Sequence, residues 1–315
     1  MSSDEKRLLH NGIAIPDHLA STLAQWVNKD EMNLNWLDSL KETVQHFSDR
    51  WDITFEQMTP ESYVTLVLLG HSSKLGPVAF KSSPMYREFR AEASALRLAG
   101  GPDVSRLFDV DFDRCGMVVE RIMPGVQLRD AGLADEAATA VFAAKAMLFW
   151  MDVEDPAPLH PLRTWMRDLF SWKSIPDRIP DDIIEHARAL ANELLEAPIV
   201  PRLVHGDLQH HNILRRTNGD WAIIDPKGVW GDPAFEVAAW MYNPPGVQEQ
   251  EDYVNMANRR FDIISAAWGI ERAHLVRWAF VGAVLSTVWS AGGPAPDGWF
   301  RGSLKVANVM RSMLD

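Results

Sequence analysis

Val204-His205-Gly206-Asp207-Leu208-Gln209-His210-His211-Asn212-Ile213-Leu214, followed by Ile223-Ile224-Asp225-Pro226-Lys227-Gly228, is the stretch on which the reading of this chain turns. Asp207 precedes Asn212 by five positions, Asn212 precedes Asp225 by thirteen, and apolar pairs flank the polar residues. Phosphoryl transfer from ATP requires such a set. A carboxylate must orient the attacking hydroxyl and accept its proton, and oxygen ligands must hold the Mg²⁺ that neutralises the phosphates. Asp207 suits the first task; Asn212 and Asp225 suit the second. A lone His-Gly-Asp tripeptide arises often by chance, and an Asp between strands is commonly a turn residue. The spaced triple between apolar segments, with Gly231-Asp232-Pro233 beyond it, is much harder to obtain accidentally.

An Asp-x4-Asn loop followed by an Asp closing the next hairpin is the layout of the protein-kinase fold. Here the loop reads His-Gly-Asp in place of His-Arg-Asp, and Pro226-Lys227-Gly228 stands where Phe-Gly would follow the second Asp. The sequence therefore resembles the small-molecule branch of that fold, which includes aminoglycoside and choline kinases. Within it, residues 225–236 and Tyr242-Asn243-Pro244 resemble the streptomycin 6-phosphotransferase and hydroxyurea kinase family. The resemblance runs over about residues 51 to 300 and is sharpest from 204 to 244.

The resemblance implies an α+β, protein-kinase-like, two-lobed fold. A small antiparallel sheet with one helix would occupy 1–122, after a helical lead-in over 1–50, and a mainly helical lobe 123–315. It also implies ATP- and Mg²⁺-dependent transfer of the γ-phosphoryl group to a hydroxyl of a small molecule, streptomycin or a related aminoglycoside, giving antibiotic resistance. Alternative acceptors are hydroxyurea and metabolites of the choline, sugar or fructosamine type. From another class, a nucleotide-binding scaffold without activity has no need of the full set Lys81, Asp207, Asn212 and Asp225.

Composition narrows the partners. A chain of 315 residues can bury about three quarters of its unfolded surface. The formal net charge of −12 argues against nucleic acid or an anionic membrane as partner; it suits a cationic acceptor, and equally plain solubility. No protein partner is implied. Cys115 is the sole cysteine, so neither an internal disulfide nor a cysteine-built metal site can form, and a cytoplasmic setting is expected. The N-terminal residues lack the apolar run of a signal peptide. Trp278 to Trp289 is apolar but short for a bilayer span and reads as a buried helix.

Ahead of the central stretch, the lead-in carries Ile15-Pro16 and an amphipathic run through Trp26, Leu34, Trp36, Leu37 and Leu40. The segments Ile53–Gln57, Tyr63–Leu69 and Val78–Ser82 then read as an antiparallel meander. Alternation places Val78 and Phe80 on one face of the third strand and Ala79 and Lys81 on the other. A small residue beside adenine and an ammonium beside the phosphates is what a Val-Ala-x-Lys strand supplies; a surface lysine on an edge strand is the plain alternative. A helix follows, capped by Ser83, with Pro84 in its first turn and Gly100-Gly101-Pro102 as its stop. Its apolar stripe is Phe89, Ala93 and Leu96. Glu92, next to that stripe, is the expected partner of Lys81, with Glu88 as the fallback.

The turn Thr59-Pro60-Glu61-Ser62 lacks the glycines of a protein-kinase phosphate loop, and Ser62 is a candidate phosphate donor there. Strands over Ser105–Val110 and Gly116–Ile122, joined by the turn 111–114, lead to Met123-Pro124-Gly125, which resembles a kinase hinge. The backbone of Glu120 and Ile122 would there bind the adenine edge. Helices are expected over 134–153, 162–172 and 181–196. His205 is read as structural, and His210 and His211 are given no ligand role, because neighbouring side chains diverge and Mg²⁺ prefers oxygen. Asp232 and Pro233 form a helix cap, and the resemblance implies that Asp232 braces the catalytic loop. Glu236 stands where such kinases often have Asp. Leu275, Trp278, Gly282, Leu285 and Trp289 form a core stripe.

Overall fold

The computed structural model of the chain describes residue 13 and residues 36–59, 65–173, 178–292 and 297–314. Most of the lead-in, including Ile15-Pro16, Trp26 and Leu34, and the turn bearing Ser62 lie outside the described residues. The chain divides into two compact units, Met1–Gly125 and Val126–Asp315.

In the first unit, helix α1 (Trp36–Trp51) buries Trp36, Leu40, Val44 and Phe47, a stripe at helical spacing. It is followed by strands β1 (Ile53–Met58), β2 (Leu66–Ser72) and β3 (Gly76–Ser82), helix α2 (Tyr86–Ala99), and strands β4 (Leu107–Asp111) and β5 (Gly116–Glu120). The strands form one antiparallel sheet in the order β1-β2-β3-β5-β4. Alternation decides what each face does. Ile53, Phe55, Leu66, Leu68, Val78, Phe80 and Val118 pack with the α1 stripe in one core, so Ala79 and Lys81 are turned to the other face. The indole of Trp36 donates to Ser82 Oγ at 2.8 Å, and Ser82 Oγ donates to the Cys115 carbonyl at 2.8 Å, tying α1 to β3 and β5.

Two expectations shift here. Helix α2 starts at Tyr86 and Ser83 does not cap it. Ser83 Oγ instead accepts the N–H of Met85, the residue just ahead of the first turn, at 3.3 Å, and the preceding Pro84 lies outside the helix. The second strand lies later than expected, ending at Ser72, because it must reach Gly76 through a tight turn in which Ser72 Oγ accepts the N–H groups of Lys74 and Leu75.

The chain enters the second unit through strand β6 (Pro124–Gln127), continues into helix α3 (Asp135–Phe149), and then through strand β7 (His160–Pro161) and the short helices α4 (Leu162–Trp165) and α5 (Arg167–Ser171). A single helix expected over 162–172 is thus broken, since Met166 leaves helical geometry at φ −89°, ψ 12°. Helix α6 spans Asp181–Glu196, as the periodicity predicts. Strands β8 (Arg202–Val204), β9 (Ile213–Arg216), β10 (Trp221–Ile223) and β11 (Val229–Gly231) complete two small sheets, ordered β10-β9-β6 and β7-β11-β8.

Helices α7 (Val237–Met241), α8 (Tyr253–Trp268), α9 (Arg272–Gly292) and α10 (Asp297–Arg311) close the unit. Helix α9 is long and apolar enough to cross a membrane by composition, yet most of it is buried inside the unit, packed on α6, α7, α8 and α10. Gly282 sits directly on Ala238, with no space for a side chain. Arg260, 1% exposed, is satisfied on all sides: it pairs with the Asp135 carboxylate through Nε and Nη2, and Nη1 donates to the carbonyls of Trp240 and Asn243 at 2.8 and 3.0 Å. A buried cation so completely paired fixes α8 against α3 and the end of α7.

Candidate active site

In the second unit, β8 delivers the loop 205–212 and the β9–β10 hairpin returns to Asp225, so three polar residues separated in sequence arise from one local substructure. Gly206 is what lets the loop turn. Its φ of +83° is disfavoured for any L side chain, and a Cβ there would lie 2.5 Å from Val229 Cγ2. The loop has no regular ladder, so its N–H groups need other acceptors. The carboxylate of Glu236 supplies them: it accepts from His205 N at 2.6 Å, Gly206 N at 3.1 Å and Leu208 N at 3.3 Å.

His205 links this loop to the next. Its Nε2 bonds the Ile224 carbonyl at 2.8 Å, and since a carbonyl can only accept, Nε2 carries the proton. Nδ1 is then free to accept the Asp207 N–H at 3.2 Å. The neutral ring, fully buried, therefore clamps the backbone before Asp225 to the backbone of Asp207. Two backbone bonds repeat the link, Lys227 N to His205 O at 2.8 Å and Ile224 N to Asn212 O at 3.0 Å.

Asp207 is half-buried, and Gln209 Nε2 donates to both its carboxylate oxygens at 3.2 Å. Burial pushes its carboxyl up to about 6, with Asp225 adding to the rise; the Lys227 ammonium and the Gln209 bond pull against it. Asn212 donates its amide nitrogen to the Asp207 carbonyl at 2.9 Å, which leaves its amide oxygen as the side-chain atom able to accept or ligate. Asp225 adopts φ +59° and pairs with the Lys227 ammonium at 2.5 Å. Asp207, Asn212 and Asp225 are thus brought together through the bonds among loop, hairpin and His205.

The other predicted residues take definite places. Lys81 pairs with Glu92, both largely buried on the sheet face away from the α1 core, so the expected partner meets the ammonium. The Glu120 N–H donates to the Arg106 carbonyl at 2.8 Å, and its carbonyl accepts from Ser105 Oγ at 2.8 Å. The Ile122 N–H has no protein partner among the described residues. Asp232 caps its short helix by accepting the Ala234 N–H, and its other oxygen takes His274 Nε2 and Trp278 Nε1, each at 2.6 Å. Bracing of the loop, expected from Asp232, comes from Glu236 instead. His210 is stacked on Trp240 with ring centroids 3.7 Å apart, and burial holds its imidazole down at about 2 and so neutral; His211 lies 3.1 Å from Arg129 Nη1.

Sequence reasoning undervalued Glu236 and missed Gln209. A signal for the first was present: Glu236 is the only charged residue in Ala234–Met241, a run buried throughout. An acid in such a run must be paired. Burial pushes its carboxyl up to about 7, against the pull of the three backbone N–H groups.

The family model described as aminoglycoside/hydroxyurea antibiotic resistance kinase matches residues 50–293. Streptomycin 6-kinase of Streptomyces glaucescens is 26% identical over 297 residues, covering 88% of this chain and 91% of that protein. Hydroxyurea phosphotransferase of Kitasatospora aureofaciens is 26% identical over 260 residues, covering 81% and 74%. Among solved structures, choline kinase LicA from Streptococcus pneumoniae superposes with a TM-score of 0.61 at 13% identity over 87% of this chain and 99% of that one, a likeness of fold. With the antiparallel sheet of the first unit and the helices of the second, the fold is protein-kinase-like. The chain belongs to the aminoglycoside/hydroxyurea antibiotic resistance kinase family and is a phosphotransferase with an alcohol group as acceptor.

Proposed function

We propose that this protein transfers the γ-phosphoryl group of ATP, with Mg²⁺, to a hydroxyl of a cationic small molecule, streptomycin or a related aminoglycoside. The observation that carries the reading is the Asp207 carboxylate, oriented by Gln209 and joined through one loop to Asn212 and Asp225.

The donor set suits a hard divalent cation. Asn212 presents an amide oxygen because its nitrogen is spent on Asp207 O, and Asp225 presents a carboxylate that already attracts an ammonium. Among the described residues no group of three or more His, Cys, Asp or Glu could hold a metal. That fits Mg²⁺, which is usually held by one or two protein oxygens together with phosphate and water. Bound Mg²⁺ would supply charge neutralisation at the phosphate oxygens. Asp207 orients the acceptor hydroxyl toward the phosphorus and takes its proton as the new P–O bond forms and the bond to ADP breaks. A carboxyl raised by burial accepts that proton more readily than an ordinary aspartate does. Lys81, held by Glu92, would contact the phosphates, and the Ile122 N–H and Glu120 carbonyl the adenine edge.

The named relatives act on streptomycin and on hydroxyurea, and the net charge of −12 favours the cationic one. With one buried free cysteine, the protein suits the reducing cytoplasm in which such an acceptor and ATP would meet. A coupled ADP-release assay over a panel of aminoglycosides, hydroxyurea, choline and fructosamines tests the reading. Turnover with an aminoglycoside is expected. Asp207→Ala should abolish it while ATP affinity stays within a few-fold; undiminished turnover in that variant would remove Asp207 from its role, and turnover with only a non-aminoglycoside would replace the acceptor.

A further inference from the structure

Lys227 is a residue of the site for which neither the motif nor the family assignment names a task. It follows Asp225 by two positions, and its ammonium lies 2.5 Å from Asp225 Oδ2, with about 29% of the Lys227 side chain and 33% of the Asp225 side chain exposed. Its backbone is held, since Lys227 N–H donates to the His205 carbonyl, and its Cβ stands where it would crowd any side chain on Gly206, at 3.4 Å. The stem therefore lies along the turn that carries Asp207. The same ammonium is the largest charge acting on the Asp207 carboxyl. The cation paired with Asp225 thus has its root fixed to the catalytic loop itself.

An ion pair between side chains two apart on an exposed loop would be ordinary and weak. Here the anchored backbone and the partial burial on both sides make the position reproducible. Asp225 is also the carboxylate assigned to Mg²⁺, so in the nucleotide-free protein the ammonium holds a place that a metal ion would contest. A Lys displaced from Asp225 keeps its root beside Gly206, and its four-carbon stem confines the charge to the neighbourhood of Asp207, where the group in transfer must lie.

We propose that Lys227 is a phosphoryl-contacting residue, whose ammonium pairs with Asp225 and passes to the γ-phosphoryl oxygens when Mg–ATP takes Asp225. The proposal rests on the ATP-dependent reading of this site. It assigns Lys227 two separable effects: suppression of Mg²⁺ binding in the absence of nucleotide, and preference for ATP over ADP in its presence.

Calorimetric titration of the full chain with MgCl₂ alone, Mg–ATP and Mg–ADP, for wild type, Lys227→Met and Lys227→Arg, measures both. Lys227→Met is expected to weaken Mg–ATP binding by roughly tenfold to a hundredfold more than Mg–ADP binding, the loss of one charge-assisted contact to the third phosphate. It is expected to bind Mg²⁺ alone several-fold more tightly than wild type, and Lys227→Arg should keep most of the wild-type preference for ATP. Equal weakening of ATP and ADP, or unchanged Mg²⁺ affinity without nucleotide, overturns the proposal. Should Lys227→Met fail to fold, Lys227→Gln reads the same two ratios. Wild type that binds neither nucleotide defeats the ATP reading itself, whereas wild type that binds both and turns over, with Lys227→Met showing wild-type ratios, defeats only the role of Lys227.

Discussion

Replacement of Gly206 by alanine tests whether the geometry of the catalytic loop is what the structure depicts. Two penalties apply. A Cβ at φ +83° costs roughly 1–2 kcal/mol in left-handed backbone strain. The new methyl would also stand 2.5 Å from Val229 Cγ2, and because a β-branched valine on a buried strand cannot rotate aside, overpacking adds about 1–3 kcal/mol. Gly206→Ala should therefore destabilise by ~2–5 kcal/mol. Val229→Ala alone should cost about 2 kcal/mol in lost burial. The double variant relieves the clash and keeps the strain, so its cost should fall short of the sum by roughly 1–3 kcal/mol. Urea unfolding read by the fluorescence of the 13 tryptophans gives the three values. Turnover should drop at least ~100-fold in Gly206→Ala, since the residue next to Asp207 sets where the carboxylate points. Additivity of the two substitutions within about 0.5 kcal/mol would refute the contact, and a wild-type-like Gly206→Ala would refute the backbone assignment with it.

Glu236 and the Lys81–Glu92 pair yield two further expectations. Since the folded carboxyl of Glu236 titrates near 7, above its ordinary 4.5, the folded state holds a proton that the unfolded state has released across that window; stability should fall by about 3 kcal/mol on this account as pH rises from 4.5 to 7. Glu236→Gln removes the titration, so parallel stability curves for wild type and variant over that range would contradict it. Glu92→Ala takes away the carboxylate against which a largely buried ammonium is held, and should cost the first unit roughly 3 kcal/mol while weakening ATP binding. Adding Lys81→Met should then cost less than its own single substitution, and strict additivity in a double-mutant cycle would show that the two charges are not coupled.

What could be read from the sequence was what is local in the chain. Asp207 and Asn212 share one loop, and a short hairpin returns to Asp225, so the spacing of residues contains most of the geometry. Lys81 and Glu92 likewise sit on a strand and the helix that follows it, and alternation along β3 together with helical spacing in α2 favours the pair while leaving Glu88 as the fallback. The boundary errors are of a different kind. Ser83 has the composition of a cap, but the chain spends two more residues leaving β3 before α2 can start. The break at Met166 leaves no mark in a run that is apolar at helical spacing. The bond from the Glu120 N–H to the carbonyl of Arg106, fourteen residues earlier, is likewise marked by no pattern in the sequence.

Glu236 shows why a departure from a family pattern need not be a loss. Read along the chain, a glutamate where related kinases often have Asp weakens the case for a role at that position. In space the three donors it must meet, on residues 205, 206 and 208, project from an irregular turn, and one carboxylate reaches all of them at 2.6–3.3 Å. An aspartate would stop roughly 1.5 Å short, one carbon–carbon bond, unless the helical turn 233–236 moved toward the loop. That turn is not free to move. Asp232 pins its start to His274 and Trp278 of α9, and Gly282 of the same helix lies directly on Ala238 just beyond its end. The extra methylene therefore compensates for a support that α9 holds at a fixed distance. Asp232 and Glu236 divide one task between them, the first fixing the turn to the core and the second fixing the catalytic loop to the turn.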